Sequence, residues 1–200
     1  MSLIELFAAI CGFICVYLTI KENIWCWPVG LVQVALYIFI FYDAKLYSDV
    51  LLHIVYVFMQ FYGWYYWLHG GKEQKEAQIT ELSKSWFAFY IVGSGLAVIL
   101  LGYGMASATD ASFPYADAFT TVFSLSAQWL LSRKKLESWH FWIAVDCVAI
   151  FIYFQKSLYS TAILYGLFLG MAIAGLLRWR KTLLESELGD DSQLDLEPAL

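Results

Sequence analysis

The side chains able to do chemistry in this 200-residue chain sit inside long apolar stretches. His53, Tyr56, Gln60, Trp64 and Trp67 are spaced 3, 4, 4 and 3 apart, which puts all five on one face of a helix. Trp139, Trp142 and Asp146 obey the same rule with spacings of 3 and 4. Asp117 and Gln128 belong to the stretch before them, and Trp25, Trp27, Pro28 and Gln33 to an earlier one. Polar and ionisable groups in apolar segments are costly and mark candidate sites. Flat indole faces, amides and a carboxylic acid with no Lys or Arg in its own stretch suit a flat, cationic heteroaromatic ligand. Such a ligand stacks on indole by cation–π attraction while its polar edge meets Asp and Gln. Plainer roles compete. An aromatic belt accounts equally well for Trp25, Trp27 and Trp139, Gln33 and Gln155 can bond helix to helix, and Trp67 reads as an interface anchor.

The elements that must position these groups follow from composition. The chain is 61% hydrophobic, 19% aromatic and 14% charged, whereas a soluble domain carries about 25% charged residues. This excludes an ordinary soluble enzyme and a disordered chain. Twelve Lys and Arg against seventeen Asp and Glu exclude a nucleic-acid partner. Seven stretches are long enough to cross a bilayer: 3–20, 24–42, 50–68, 85–106, 115–132, 139–155 and 159–177. Numbering the connections alternately sends Lys21, Lys72, Lys75, Lys84, Arg133, Lys134, Lys135, Arg178, Arg180 and Lys181 to one side, and only Lys45 and Lys156 to the other. The rich side is therefore cytoplasmic, with the N-terminus outside and the C-terminus inside. The first span lacks a positive n-region and reads as retained. Cys11, Cys15, Cys26 and Cys147 lie in apolar runs without a CxxC spacing and read as small buried side chains. The acidic stretch 182–200 reads as a partly helical or disordered cytoplasmic tail.

The segment Phe41-Tyr42-Asp43-Ala44-Lys45-Leu46-Tyr47-Ser48 resembles Tyr153-Phe154-Gln155-Lys156-Ser157-Leu158-Tyr159-Ser160 at an offset of 112 residues. The same offset pairs Trp27 with Trp139 and Glu5 with Asp117, and carries span one onto span five. The expected fold is an all-α membrane protein with a parallel 3+1+3 repeat: repeat one at 3–68, a linker helix at 85–106 and repeat two at 115–177, together a transporter domain at 1–181. Parallel repeats of this kind place a substrate site near the midplane between the halves.

Several motifs then carry a family likeness: Glu22-Asn23 through Trp27-Pro28 and Gly30; Leu46-Tyr47-Ser48-Asp49; Tyr62-Gly63-Trp64-Tyr65-Tyr66-Trp67; Asp117; Arg133-Lys134; and Glu137 with Trp139 and Trp142. In this order and spacing the chain resembles the PnuC family of bacterial vitamin transporters. The resemblance implies a SWEET-like fold in the bacterial inner membrane and facilitated diffusion of an unphosphorylated vitamin, trapped inside by a cytoplasmic kinase. No cofactor or metal is implied, and homo-oligomerisation is left open. Ala127-Gln128-Trp129 leading to Trp139, Trp142 and Asp146 resembles the thiamine-type members; physically, a carboxyl group can engage the ring nitrogen and amino group of an aminopyrimidine. Thiamine is therefore the first expectation and nicotinamide riboside the alternative. The expected substrate-binding set is His53, Tyr56, Gln60, Trp64, Asp117, Gln128, Trp139, Trp142 and Asp146, with the vitamin stacked against Trp64 and Trp142. From other classes, a seven-helix receptor stays open. A retinal protein fails for want of a lysine within a span, and a metalloprotease for want of HExxH.

Overall fold

The computed structural model describes residues 3–43, 45, 47–71, 75–109 and 112–194. It is all-helical: α1 (Leu3–Ile20), α2 (Cys26–Asp43), α3 (Tyr47–His69), α4 (Lys84–Ala108), α5 (Pro114–Ser132), α6 (Ser138–Gln155) and α7 (Tyr159–Leu194). Each helix matches an expected span. Five of them (α1, α2, α4, α6 and α7) are long and apolar enough to cross a membrane by length and composition alone. α3 and α5 fall short because they carry His53, Gln60, Asp117, Thr120, Thr121, Ser124 and Gln128, polar groups that face inward. α7 departs most from expectation. It continues as one 36-residue helix through much of the acidic stretch, to Leu194. Within that extension Lys181 pairs with Glu185, one turn further on, at 3.6 Å.

Prolines and left-handed residues punctuate the helices. Pro28 sits in the first turn of α2 and Pro114 opens α5, where a missing N–H costs nothing. α1 ends with Glu22 at φ 57° and α5 with Lys134 at φ 54°. In the first turn Asn23 N–H reaches back to Leu18 and Glu22 N–H to Thr19; in the second Lys135 N–H reaches Leu130 and Lys134 N–H reaches Leu131. Both are Schellman closures. Lys45 and Ser157, after α2 and α6, repeat the left-handed conformation at φ 59° and 58°.

In every one of these pairs the two members lie 112 residues apart, and the bounds of α2 plus 112 are those of α6. α1, α2 and α3 pack in sequence, as do α5, α6 and α7; α3 then lies against α5, α7 against α1, and α4 against α5. Where the two triples meet, Trp67 meets Trp27 edge-on at 5.3 Å and 85°, and Trp179 meets Trp139 at 5.4 Å and 88°. Trp67 and Trp179 approach each other at 5.9 Å. Trp67 Nε1–H donates to the Leu131 carbonyl at 3.1 Å, and Trp179 Nε1–H to that of Thr19 at 3.2 Å. These four indoles, with Ile20, Cys26, Ile79, Leu136 and Ala172, form the main buried core. Trp67 is thus 3% exposed and belongs to the interior rather than to an interface belt. Of the cysteines, Cys11 and Cys26 are buried, but Cys147 is exposed on the outer surface.

Candidate functional site

Between the two helix triples lies a cavity of about 550 Å³, walled by α1, α2, α3, α5, α6 and α7. Its polar wall comes from helix positions whose neighbours leave room. Gln60 on α3 lies over Gly30 of α2, where an added Cβ would stand 2.5 Å from Gln60 Nε2. Trp139 on α6 lies over Gly175 of α7, where a Cβ would come within 2.6 Å of the indole. Two small residues therefore seat two large polar or aromatic side chains.

Hydrogen bonds fix the wall on the α3–α5 side. Tyr56 Oη and Ser124 Oγ are 2.7 Å apart and tie α3 to α5. His53 Nδ1 lies 2.9 Å from the Asp49 carbonyl, with its ring among Phe41, Tyr37 and Tyr56 at 4.9, 5.6 and 5.5 Å. Thr120 and Thr121 hydroxyls both donate back to the Asp117 carbonyl at 2.9 Å. Gln60, Gln128 and Asp146 are 7%, 7% and 5% exposed, so any charge or dipole they carry acts in a poorly hydrated space. The charged lining is lopsided: Asp49, Asp117 and Asp146 against Lys156. Together with half-buried Trp142 and the small part of Trp139 (2% exposed) that reaches the wall, this gives the cavity aromatic surface, amide donors and acceptors, and a preference for positive charge.

A family profile described as nicotinamide mononucleotide transporter matches residues 2–181. The chain belongs to this family. The nicotinamide riboside transporter PnuC of Escherichia coli (strain K12) is 27% identical over 205 residues, covering 90% of this chain and 85% of that protein. The riboflavin/roseoflavin transporter RibM of Streptomyces davaonensis is 23% identical over 176 residues, covering 85% and 81%. A crystal structure of the vitamin B3 transporter PnuC superposes with a TM-score of 0.69 at 25% identity, covering 90% of this chain and 81% of that one. The resemblance to PnuC transporters drawn from the motifs therefore holds, and the chain is a membrane transporter.

Within this transporter the structure gathers eight of the nine expected site residues around one cavity: His53, Tyr56, Gln60, Asp117, Gln128, Trp139, Trp142 and Asp146. Trp64 is the exception. It shares their helical face but lies a turn beyond Gln60, half-buried against the core indoles rather than on the cavity wall. The structure thus places Trp64 beside the cavity rather than on its wall. Sequence reasoning missed Tyr37, Asp49, Thr120, Thr121, Ser124, Tyr153, Lys156 and Tyr165 as lining residues; Gln33, read there as a helix-to-helix bond, lies over Gly12 of α1 and also lines the cavity. The 112-residue offset carried the missing signal for two of these, since it maps Phe41 onto Tyr153 and His53 onto Tyr165.

Proposed function

We propose that this transporter carries nicotinamide riboside across the bacterial inner membrane by facilitated diffusion. Triples α1–α3 and α5–α7 act as two structural copies that move about the cavity between them. The observation that carries the reading is the meeting of Trp139 and Trp142 with buried Asp146, Gln60 and Gln128 in one cavity. A pyridinium ring stacks on indole, its carboxamide offers one donor and one acceptor group to the glutamine amides, and the Asp146 carboxyl balances its positive charge. The copies are supported by the correspondences at 112 residues in helix bounds, left-handed turns and indole pairs.

Thiamine stood first on the sequence, through the carboxyl at Asp146. The relatives named above bear nicotinamide riboside and riboflavin in their names, and none of them bears thiamine. Nicotinamide riboside is therefore the better-supported substrate. The unphosphorylated nucleoside is preferred over the mononucleotide because three carboxylates and a single lysine line the cavity among the described residues. A phosphate there would face net repulsion. The sorting of basic residues supports an outside N-terminus and a cytoplasmic C-terminus, and uncoupled diffusion would need a cytoplasmic kinase to hold the vitamin inside.

The test is calorimetry and proteoliposome uptake with nicotinamide riboside, nicotinamide mononucleotide, thiamine and riboflavin side by side. Saturable uptake of nicotinamide riboside that the mononucleotide does not inhibit is expected. Tighter binding of thiamine would overturn the assignment.

A further inference from the structure

We propose that Lys134 and the bonds around it are the gate that closes the cavity toward the Lys/Arg-rich face. On that side the cavity lining includes Thr19 and Leu131, the two residues whose carbonyls accept from Trp179 and Trp67. Just beyond, Lys134 Nζ meets Glu22 Oε2 at 2.9 Å, donates to the Ala77 carbonyl at 2.9 Å and stands 4.9 Å from the centre of the Trp67 ring. A buried ammonium is tolerated only when carboxylate, carbonyl and aromatic partners replace its water, and here all three kinds are present.

What makes this cluster a gate is which parts it joins. Trp67 belongs to the first triple and Leu131 to the second, Trp179 to the second and Thr19 to the first, and Glu22 and Lys134 to the turns that end α1 and α5. The Trp67–Leu131, Trp179–Thr19 and Lys134–Glu22 links therefore each cross between the triples. Separation of the triples at this face must break them together.

Segment 75–83 lies over the same place as a strap. Ala77 N–H donates to the Trp67 carbonyl at 3.0 Å, Thr80 N–H to that of Lys134 at 3.2 Å, Leu136 N–H to that of Thr80 at 3.0 Å, and Leu82 N–H to Glu137 Oε1 at 2.8 Å. Ala77 and Ile79 are 3% and 6% exposed. The strap thus holds the α5–α6 turn to the end of α3, and Lys134 pins it through Glu22 to the α1–α2 turn. Release of substrate through this face requires the pin to let go.

This inference rests on the transporter family and the two moving triples, not on the vitamin. Its test uses no substrate, so a wrong vitamin leaves it standing. Native Cys15 lines the cavity. A membrane-impermeant maleimide is applied separately to right-side-out and inverted vesicles, and modification is followed at each cysteine by peptide mass mapping. In Lys134→Met and Glu22→Gln, labelling of Cys15 from one side only should rise about tenfold, as loss of a partly buried charge pair biases a two-state equilibrium. Lys134→Arg, which keeps the charge, should stay within about threefold of the unaltered protein. Trp179→Phe keeps an aromatic ring, smaller than the indole, but loses the bond to Thr19, and should raise labelling by about threefold. It decides the matter if the charge variants fail to accumulate in the membrane. Unchanged Cys15 labelling, an equal rise from both sides, an equal rise at buried Cys11 and Cys26, or Lys134→Arg behaving like Lys134→Met would each overturn the proposal.

Discussion

Gly63 and Gly175 lie 112 residues apart and each is covered by an indole, Trp27 over the first and Trp139 over the second. Only Trp139 lines the cavity. Adding one methyl at each position therefore separates packing from substrate contact. In Gly175→Ala the new Cβ would stand 2.6 Å from two Trp139 ring atoms, while carbon atoms rest at about 3.5–4.0 Å, so the ring must retreat by about 1 Å. Overpacking of this kind costs about 1–3 kcal/mol of stability. A desolvated cation–π stack is worth up to about 2 kcal/mol. Losing half of it through the displaced ring weakens substrate binding by about 1 kcal/mol, roughly fivefold in Kd. Gly63→Ala drives a Cβ into the Trp27 ring and should cost at least as much stability, yet leave affinity within about twofold, because Trp27 is not on the wall. The assay is paired: thermal unfolding in detergent for stability, and calorimetry at a temperature where both variants are folded for affinity. If Gly63→Ala weakens binding as much as Gly175→Ala, or if Gly175→Ala binds normally, the assignment of Trp139 to the stacking wall is refuted.

Three further outcomes are expected. Asp146→Asn should weaken a cationic nucleoside by about tenfold while leaving an uncharged isostere, with a neutral pyridine-like ring, nearly unaffected; competition binding with the two ligands reads the difference. Trp64→Phe should lower the unfolding temperature but hold substrate affinity within about twofold, since Trp64 packs on core indoles instead of the cavity. Tyr56→Phe should lose the bond to Ser124 and about 1 kcal/mol of stability, measured as a shift in thermal unfolding, with no change in which vitamin is preferred.

Apolar run lengths and the placement of twelve basic residues were enough to read all seven helices, because a helix crossing hydrocarbon must satisfy its own backbone and keep its charges at the ends. The polar face of α3 was legible down to Gln60, and α6 was legible through Asp146, since an acid in an apolar run needs a reason to be there. Below Gln60 the same spacing leads away from the cavity. Trp64 and Trp67 continue the stripe, but the triples close together at that depth and the indoles fill core space. Tyr37, Tyr153 and Tyr165 escaped notice because, in a chain that is 19% aromatic, a tyrosine on the cavity wall and one facing lipid look alike. The strap at 75–83 left no pattern at all. Its hydrogen bonds go to Trp67, Lys134, Leu136 and Glu137, partners chosen by tertiary contact rather than by local periodicity.

The length of α7 has a mechanical side. Thirty-six residues extend about 54 Å at 1.5 Å per residue, while the hydrocarbon layer takes up about 30 Å. Roughly 24 Å of continuous helix therefore stands beyond the hydrocarbon layer, rigidly joined to the segment that carries Gly175 and Trp179. It works as a pointer. A tilt of about 5° at the membrane surface swings its far end by about 2 Å, so a probe at exposed Leu188 would register motion of the second triple at a distance from the cavity itself.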